Sequence, residues 1–171
     1  MSAPIDSLRV KKDTGPMART WGFQMGNHER SPEVAAAKAI ATIAHRFQVD
    51  KVGVPYIEHP CRVAAQLDDP KHVAVAWLHD VIEDCGITAK DLAAAGISNE
   101  VIDAVVLLTR TEDNRGNGYY EAIRENPIAR AVKYADIADN TDPERTARLE
   151  PAVRQRLAEK YANAKKLLGH E

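Results

Sequence analysis

The segment LHDVIED, residues 78–84, follows an apolar run at positions 73–77 and ends that run with charged and imidazole side chains. Four of its seven residues are ionisable: His79, Asp80, Glu83 and Asp84. Carboxylates and imidazoles at the end of an apolar helix cost free energy when they are buried, unless a partner neutralises them. A bound metal ion is the simplest such partner. The segment therefore predicts a helix that presents metal ligands to the interior of the domain.

Helical geometry sorts these four side chains into two pairs. Neighbouring helical positions point about 100° apart, so His79 and Asp80 both lean toward one ion. Glu83 lies one turn after His79, and Asp84 lies one turn after Asp80. We predict that the first pair binds the metal and that the second pair supplies catalytic carboxylates. The spacing does not distinguish the catalytic role of Glu83 from that of Asp84.

Two segments far from this one in sequence supply further candidates. The motif PYIEHP, residues 55–60, places His59 at a helix start, where the following proline is tolerated. The motif KYADIADN, residues 133–140, places Asp136 and Asn140 one turn apart on a helix face. The predicted metal ligands are His59, His79, Asp80 and Asp136.

Two imidazoles and two carboxylates form a mixed nitrogen and oxygen shell, which favours Mn²⁺, Fe²⁺ or Zn²⁺ over Ca²⁺ and Mg²⁺. An octahedral ion with four protein ligands keeps positions for water and substrate, as catalytic sites do. Such an ion lowers the pKa of water and neutralises charge on a phosphoryl oxygen, while a nearby carboxylate accepts a proton. The residues alone therefore predict metal-assisted hydrolysis of a phosphorylated substrate.

The rest of the chain favours an all-α fold. Hydrophobic residues make up 44% of the 171 residues but aromatic residues only 5%, a mixture typical of packed helices. Signals for helix starts recur along the chain: Ser31-Pro32, Asp69-Pro70, Thr88 to Asp91, Asn126-Pro127 and Glu150-Pro151. The alternation typical of half-buried strands does not occur convincingly. We predict a bundle of six to eight helices over residues 31–171, preceded by an N-terminal arm of unknown role, residues 1–30.

Composition limits the partners of the protein. The 23 basic and 25 acidic residues give a formal charge of −2, which offers no general attraction to nucleic acid or to an anionic membrane. No stretch reaches the roughly 20 apolar residues that span a bilayer. The two cysteines, Cys61 and Cys85, are too few for a disulfide framework. We expect a cytoplasmic protein that recognises a phosphorylated ligand through residues of its binding site. Because the N-terminal arm could pack onto a neighbouring subunit, a homo-oligomer stays open.

Three motifs in this order, PYIEHP, LHDVIED and KYADIADN, resemble the hydrolase domain of RelA/SpoT-type proteins and the small alarmone hydrolases. The resemblance runs from about residue 35 to residue 168, nearly all of the chain after the arm. It implies an all-helical HD domain that binds Mn²⁺. It also implies removal of the 3′-pyrophosphate from guanosine tetra- or pentaphosphate.

Carried over residue by residue, the resemblance implies roles for the motif residues. The implied metal ligands are the four residues named above, and the implied catalytic carboxylates are Glu83 and Asp84. Asn140 is the implied contact to ribose or phosphate. Lys51 is the implied basic residue that binds substrate. Tyr56, near His59, and Lys133, near Asp136, are the further predicted substrate-binding residues.

One departure from that family lies on the substrate side of the site. Where the family typically has an Arg-Lys-Ser stretch before Pro-Tyr, this chain reads Asp50-Lys51-Val52. An exposed, unpaired Asp50 would repel a polyanionic ligand by about 1 kcal/mol. Three functions therefore stay open: a nucleotide pyrophosphohydrolase like the alarmone hydrolases, an HD phosphohydrolase of another phosphorylated nucleotide or cofactor, and a nucleotide-binding regulatory module without turnover.

Overall fold

The computed structural model describes residues 31–51, 53–114 and 116–169, and within these ranges it contains ten α-helices. In chain order they are α1 (Pro32–Ala44), α2 (Glu58–Ala64), α3 (Pro70–Leu78), α4 (Val81–Cys85), α5 (Ala89–Ala94), α6 (Asn99–Leu108), α7 (Asn117–Glu125), α8 (Pro127–Asn140), α9 (Pro143–Thr146) and α10 (Pro151–Leu167). The predicted all-α class is confirmed.

The predicted N-terminal arm, residues 1–30, lies outside the described residues, as does Val52 in the loop that departs from the family pattern. The domain boundary at residue 31 therefore stays a prediction. Outside the helices, the described ranges contain one isolated β-bridge, between Val49 and Pro55. In the same ranges no helix combines the length and the apolar character that crossing a membrane requires.

The described ranges hold more than the predicted six to eight helices, because the bundle includes short ones. Helices α2, α4, α5 and α9 have 7, 5, 6 and 4 residues. A helix of this length spans at most about two turns, which is too short for an apolar period to reveal it in the sequence. The prediction of the helix count was therefore too low.

Local sequence signals start several of the helices, as predicted. Asp69 and Asn126 each stand before a proline, and their side chains accept hydrogen bonds from backbone N–H groups of α3 and α8. Thr88 and Asp91 form the predicted capping box at the start of α5. Ser31 precedes α1 without a side-chain cap bond. These caps satisfy N–H groups that have no partner inside the helix.

Helix α3 lies at the centre of the core. Its residues from Val73 to Leu78 are all buried, and the helix contacts α1, α2, α6 and α8. Because other helices surround it, the residues that follow its last turn lie inside the bundle. His79, the next residue, is only 3% exposed.

The segment 78–84 is not one continuous helix, contrary to the expectation from its sequence. Helix α3 ends at Leu78 and α4 begins at Val81. Asp80 between them has φ −109° and ψ −4°, in the bridge region of backbone space where many active-site residues are found. The break separates the predicted ligand pair from the predicted catalytic pair.

Asp69→Ala is expected to destabilise the protein by about 1 kcal/mol, because the Asp69 carboxylate caps the first turn of α3. Its Oδ1 accepts the backbone N–H of Lys71 at 2.8 Å. Urea unfolding followed by circular dichroism measures the change. Asp68→Ala is the matched control, since Asp68 is an exposed aspartate one residue before the cap. Equal unfolding midpoints for the two variants would contradict the role of the cap.

Candidate active site

The four predicted metal ligands converge inside the bundle. His59 lies in α2 and Asp136 in α8, while His79 and Asp80 follow α3. The Nε2 atoms of the two histidines are 3.2 Å apart. Asp136 Oδ1 lies 3.2 Å from His59 Nε2, and Asp80 Oδ2 lies 3.0 Å from His79 Nε2. The fold therefore brings together three segments that are far apart in sequence.

The other ring nitrogen of each histidine has its own hydrogen-bond partner. His79 Nδ1 donates to the carbonyl oxygen of Ala76 at 2.6 Å, and His59 Nδ1 donates to Asp139 Oδ2 at 2.7 Å. In a neutral imidazole, these bonds leave the Nε2 lone pair of each ring facing the same point. Two lone pairs and two carboxylates at this spacing repel one another unless a proton or a cation lies among them.

A divalent metal ion fits this arrangement. Among the described residues, one ligand atom from each of His59, His79 and Asp136 lies within 4.8 Å of the others, and Asp80 adds an oxygen beside His79. Two nitrogen and two oxygen donors leave positions for water and substrate on an octahedral ion. The outer hydrogen bonds of the histidines fix their ring orientation, as is usual for metal ligands.

The charged side chains of the site stabilise one another. Burial lowers the pKa of His59, but hydrogen bonds with Asp136 and Asp139 outweigh burial and raise it to about 9. Burial raises the pKa of Asp80, whereas the charge and the hydrogen bond of His79 lower it to about 2. Carboxylates in this site therefore stay ionised. A metal ion that binds here displaces a proton from the histidines.

The four predicted ligands line a cavity of about 720 Å³, a volume typical of small-molecule sites. All four predicted substrate-binding residues also line it: Lys51, Tyr56, Lys133 and Asn140. Further basic side chains in its wall are Arg62, Arg110, Arg145, Arg148 and Lys160. The cavity thus combines a metal-ligand cluster with several cations in a protein whose net charge is negative.

Three of the predicted substrate-binding residues bond predicted metal ligands in this structure. Tyr56 donates its hydroxyl to Asp80 Oδ2 at 2.6 Å. Lys133 Nζ lies 2.7 Å from Asp136 Oδ2, and Asn140 Nδ2 donates to Asp136 Oδ1 at 2.5 Å. Burial raises the pKa of Asp136, but the charge of Lys133 helps to lower it well below its ordinary value. These three residues hold the ligand carboxylates in place, and their contact with a substrate stays a prediction.

The two predicted catalytic carboxylates have different surroundings. Glu83 lines the cavity, and its Oε2 accepts the backbone N–H of Arg110 at 2.9 Å. Asp84 is not among the described residues that line the cavity. Its Oδ2 accepts a hydrogen bond from Gln48 Nε2 at 2.9 Å. The structure therefore gives different surroundings to two residues for which the sequence predicted the same role. Their catalytic roles stay predictions.

Asp139, a buried carboxylate of α8 that is 6% exposed, was not among the predicted site residues. It lies three residues after Asp136, and Arg62 lies three residues after His59. Because residues three apart share a helix face, this spacing is a signal that could have indicated both. The cavity cation Lys160 carries no such signal, since it lies on α10 outside every motif.

Adding Mn²⁺ to the metal-free protein is expected to raise its melting temperature, because the ion binds the folded site in preference to the unfolded chain. At a concentration 100 times the Kd, the stabilisation is about 2.7 kcal/mol. Calorimetric melting of chelator-treated and Mn²⁺-loaded samples measures the shift. The His59→Ala variant should lose this shift in melting temperature. The control variant His72→Ala should keep it, because His72 does not line the cavity. An equal shift in all three proteins would argue against this site.

The chain is similar in sequence to named bacterial enzymes. It is 34% identical over 142 residues to the guanosine-3′,5′-bis(diphosphate) 3′-pyrophosphohydrolase of Vibrio cholerae, covering 74% of this chain and 20% of that protein. The protein of the same name from Haemophilus influenzae is 36% identical over 132 residues, covering 70% and 19%. A probable GTP pyrophosphokinase of Mycobacterium leprae is 32% identical over 135 residues, covering 71% and 17%. The chain thus spans about one fifth of the length of these relatives.

The fold is shared with a solved structure, described as a metazoan ortholog of SpoT that hydrolyzes ppGpp and plays a role in starvation responses. The TM-score is 0.65 at 21% identity, covering 81% of this chain and 86% of that one. No protein-family model matches the chain. The chain is therefore similar in sequence to part of these relatives, and it shares its fold with that structure.

Proposed function

We propose that the chain is a metal-dependent hydrolase that cleaves pyrophosphate from a phosphorylated nucleotide, with guanosine 3′,5′-bis(diphosphate) as the foremost substrate. The observation that carries the proposal is the convergence of the four predicted metal ligands in a cavity that also bears cations. Metal-assisted phosphate chemistry uses both, because the ion polarises the reacting phosphate and the cations bind the remaining charge. The names of the Vibrio and Haemophilus relatives support the same substrate.

Mn²⁺ is the proposed ion, with Fe²⁺ and Zn²⁺ as alternatives. The residues that would hold it are His59, His79, Asp80 and Asp136. A mixed imidazole and carboxylate set supports this choice, because hard cations such as Ca²⁺ and Mg²⁺ prefer oxygen alone. When bound, such an ion lowers the pKa of water and neutralises charge on a phosphoryl oxygen.

Basic residues of the cavity would supply the attraction for phosphate that the net charge of the chain lacks. The pKa of Lys160 is lowered, first by burial and then by the neighbouring charges of Arg110 and Lys133, with a contribution from Lys51. Binding of a phosphate among these cations relieves their mutual repulsion. We therefore add Arg110 and Lys160 to Lys51 as proposed contacts for the phosphates of the substrate.

Glu83 is the proposed proton acceptor. It lines the cavity, and its bond to the backbone N–H of Arg110 fixes one carboxylate oxygen. A carboxylate held beside the reacting phosphate can take the proton of the attacking water. Asp84 remains the second candidate for this role.

The Asp50 carboxylate has partners in the structure, so it does not act on the substrate as an unpaired charge. Its Oδ1 accepts the backbone N–H of Val54 at 3.0 Å, and its Oδ2 lies 3.9 Å from Arg145 Nη2. Its side chain is 19% exposed. The repulsion expected for an exposed and unpaired Asp50 is therefore reduced, and a polyanionic substrate is compatible with this departure.

Position 50 nevertheless favours a second candidate function. The resemblance implies a basic residue there, and this chain has Asp50 instead. Our alternative is therefore an HD phosphohydrolase that acts on another phosphorylated nucleotide or on a phosphate of a cofactor. A regulatory module without turnover is the third reading, and it is disfavoured because every predicted ligand and both Glu83 and Asp84 are present.

Release of pyrophosphate and phosphate by the purified, Mn²⁺-loaded chain tests these candidates. The panel contains guanosine tetraphosphate, other nucleotides and phosphorylated nucleotide cofactors. Pyrophosphate released from guanosine tetraphosphate supports the first candidate. Release from another member alone supports the second, and no release from any member despite stoichiometric Mn²⁺ supports the third.

A further inference from the structure

We infer that Asp139 is a positioning residue of the metal site, which fixes the orientation of His59 and increases the electron density that its ring offers to the ion. The inference rests on the proposed function, because it takes His59 as a metal ligand. It goes beyond the predicted ligand set, in which Asp139 had no part. An anionic partner on the second nitrogen of a ligating histidine is a general way to strengthen a metal site.

His59 lies between two carboxylates of α8, one at each ring nitrogen. Its Nε2 is 3.2 Å from Asp136 Oδ1, and its Nδ1 is 2.7 Å from Asp139 Oδ2. The histidine belongs to α2, whereas both acids belong to α8. The bond at Nδ1 therefore sets the angle at which Nε2 meets the ligand cluster.

Asp139 is itself held in place by two arginines. Arg62 Nε donates to its Oδ1 at 2.7 Å and Arg62 Nη2 to its Oδ2 at 3.3 Å. Arg145 Nη1 also donates to Oδ2. The side chain of Asp139 is only 4% exposed. Charge-assisted bonds to two guanidinium groups keep the carboxylate ionised and fix its position, so it can fix that of His59 in turn.

The two histidines of the site differ in this respect. His79 donates from Nδ1 to the carbonyl oxygen of Ala76, an uncharged acceptor, whereas His59 donates to an anion. Removing the charge of Asp139 should therefore weaken one of the four ligands and leave His79 unchanged. We expect a partial loss of metal affinity, in contrast to the complete loss expected when a ligand itself is removed.

The test is the Kd of Mn²⁺ for the full chain, measured by titration calorimetry. Asp139→Asn keeps the shape of the side chain and removes its charge, and it is expected to weaken Mn²⁺ binding about 10- to 100-fold. Asp103→Asn makes the same change at an exposed position of α6 and should leave the Kd unchanged. Co²⁺ provides a spectroscopic readout, since its d–d absorption bands should shift in Asp139→Asn and not in Asp103→Asn.

Melting curves of the metal-free proteins separate a role in metal binding from a role in folding. Because Asp139→Asn removes the carboxylate that Arg62 Nε bonds, the double variant Asp139→Asn/Arg62→Gln provides a second test in which that cation is removed too. A Kd weakened about tenfold or more in either folded variant supports the inference. A Kd and Co²⁺ bands like those of the wild type in a folded variant overturn it.

His79→Ala distinguishes failure of the inference from failure of the proposed function. If the wild type binds Mn²⁺, His79→Ala does not, and Asp139→Asn binds normally, only the role of Asp139 is rejected. If the wild type binds no Mn²⁺, the proposed metal site is rejected, and the role of Asp139 with it.

Discussion

His79→Ala is expected to lower kcat/KM for pyrophosphate release by about 10³-fold or more. His79 is one of four side chains proposed to hold the metal, and its Nε2 lies 3.2 Å from His59 Nε2. Loss of the ion removes several kcal/mol of transition-state stabilisation, and each 1.36 kcal/mol corresponds to about a tenfold change in rate. Steady-state assays at saturating Mn²⁺ with guanosine tetraphosphate measure the effect.

His72→Ala is the matched control for this variant. His72 lies two turns earlier on α3 and does not line the cavity. It should retain the activity of the wild type, and circular dichroism of both variants verifies that they keep the helix content of the wild type. Substantial turnover by a folded His79→Ala protein that binds no Mn²⁺ would refute the metal-dependent mechanism.

Glu83→Gln is expected to lower kcat by about 10²- to 10⁴-fold, the range for removal of a general base. Its amide keeps the size of the side chain but cannot accept a proton from water. Because Glu83 lines the cavity and is not one of the four proposed ligands, the Kd for Mn²⁺ should change little. A loss of kcat at nearly constant Mn²⁺ affinity would assign Glu83 to the chemical step.

Asp84→Asn is the matched comparison, since it removes a carboxylate from the adjacent position. Asp84 bonds Gln48 and is not among the described residues of the cavity wall, so we expect a smaller loss of kcat than for Glu83→Gln. If Asp84→Asn is the more damaging of the two, the roles proposed for this pair are reversed.

Much of the fold and of the candidate site could be predicted from the sequence, because the signals are local. A capping aspartate before a proline marks the start of α3 within three residues. The motifs that contain His59, His79, Asp80 and Asp136 are short, and the structure confirms that these four side chains converge.

The sequence was less informative about which side chains bond the predicted metal ligands and which line the cavity. Helical spacing paired Glu83 with Asp84, but the break between α3 and α4 gives them different neighbours. Lys133 and Asn140 were predicted to bind substrate, and in the structure both bond Asp136. A period of 3.6 residues identifies which side chains share one face of a helix, but it does not identify the residues that pack against that face.

The amino-acid sequence by itself determined the helical class and the starts of α1, α3, α5, α8 and α10, and it predicted a set of metal ligands. Only the tertiary structure decided how those ligands are held: Asp139 bonds His59, 80 residues away, and Arg62, 77 residues away. It likewise paired Asp50 with Arg145. The physical reason is the separation in sequence. Caps and helical periods act over about four residues, whereas these bonds form only after packing has brought α2, α8 and α9 together.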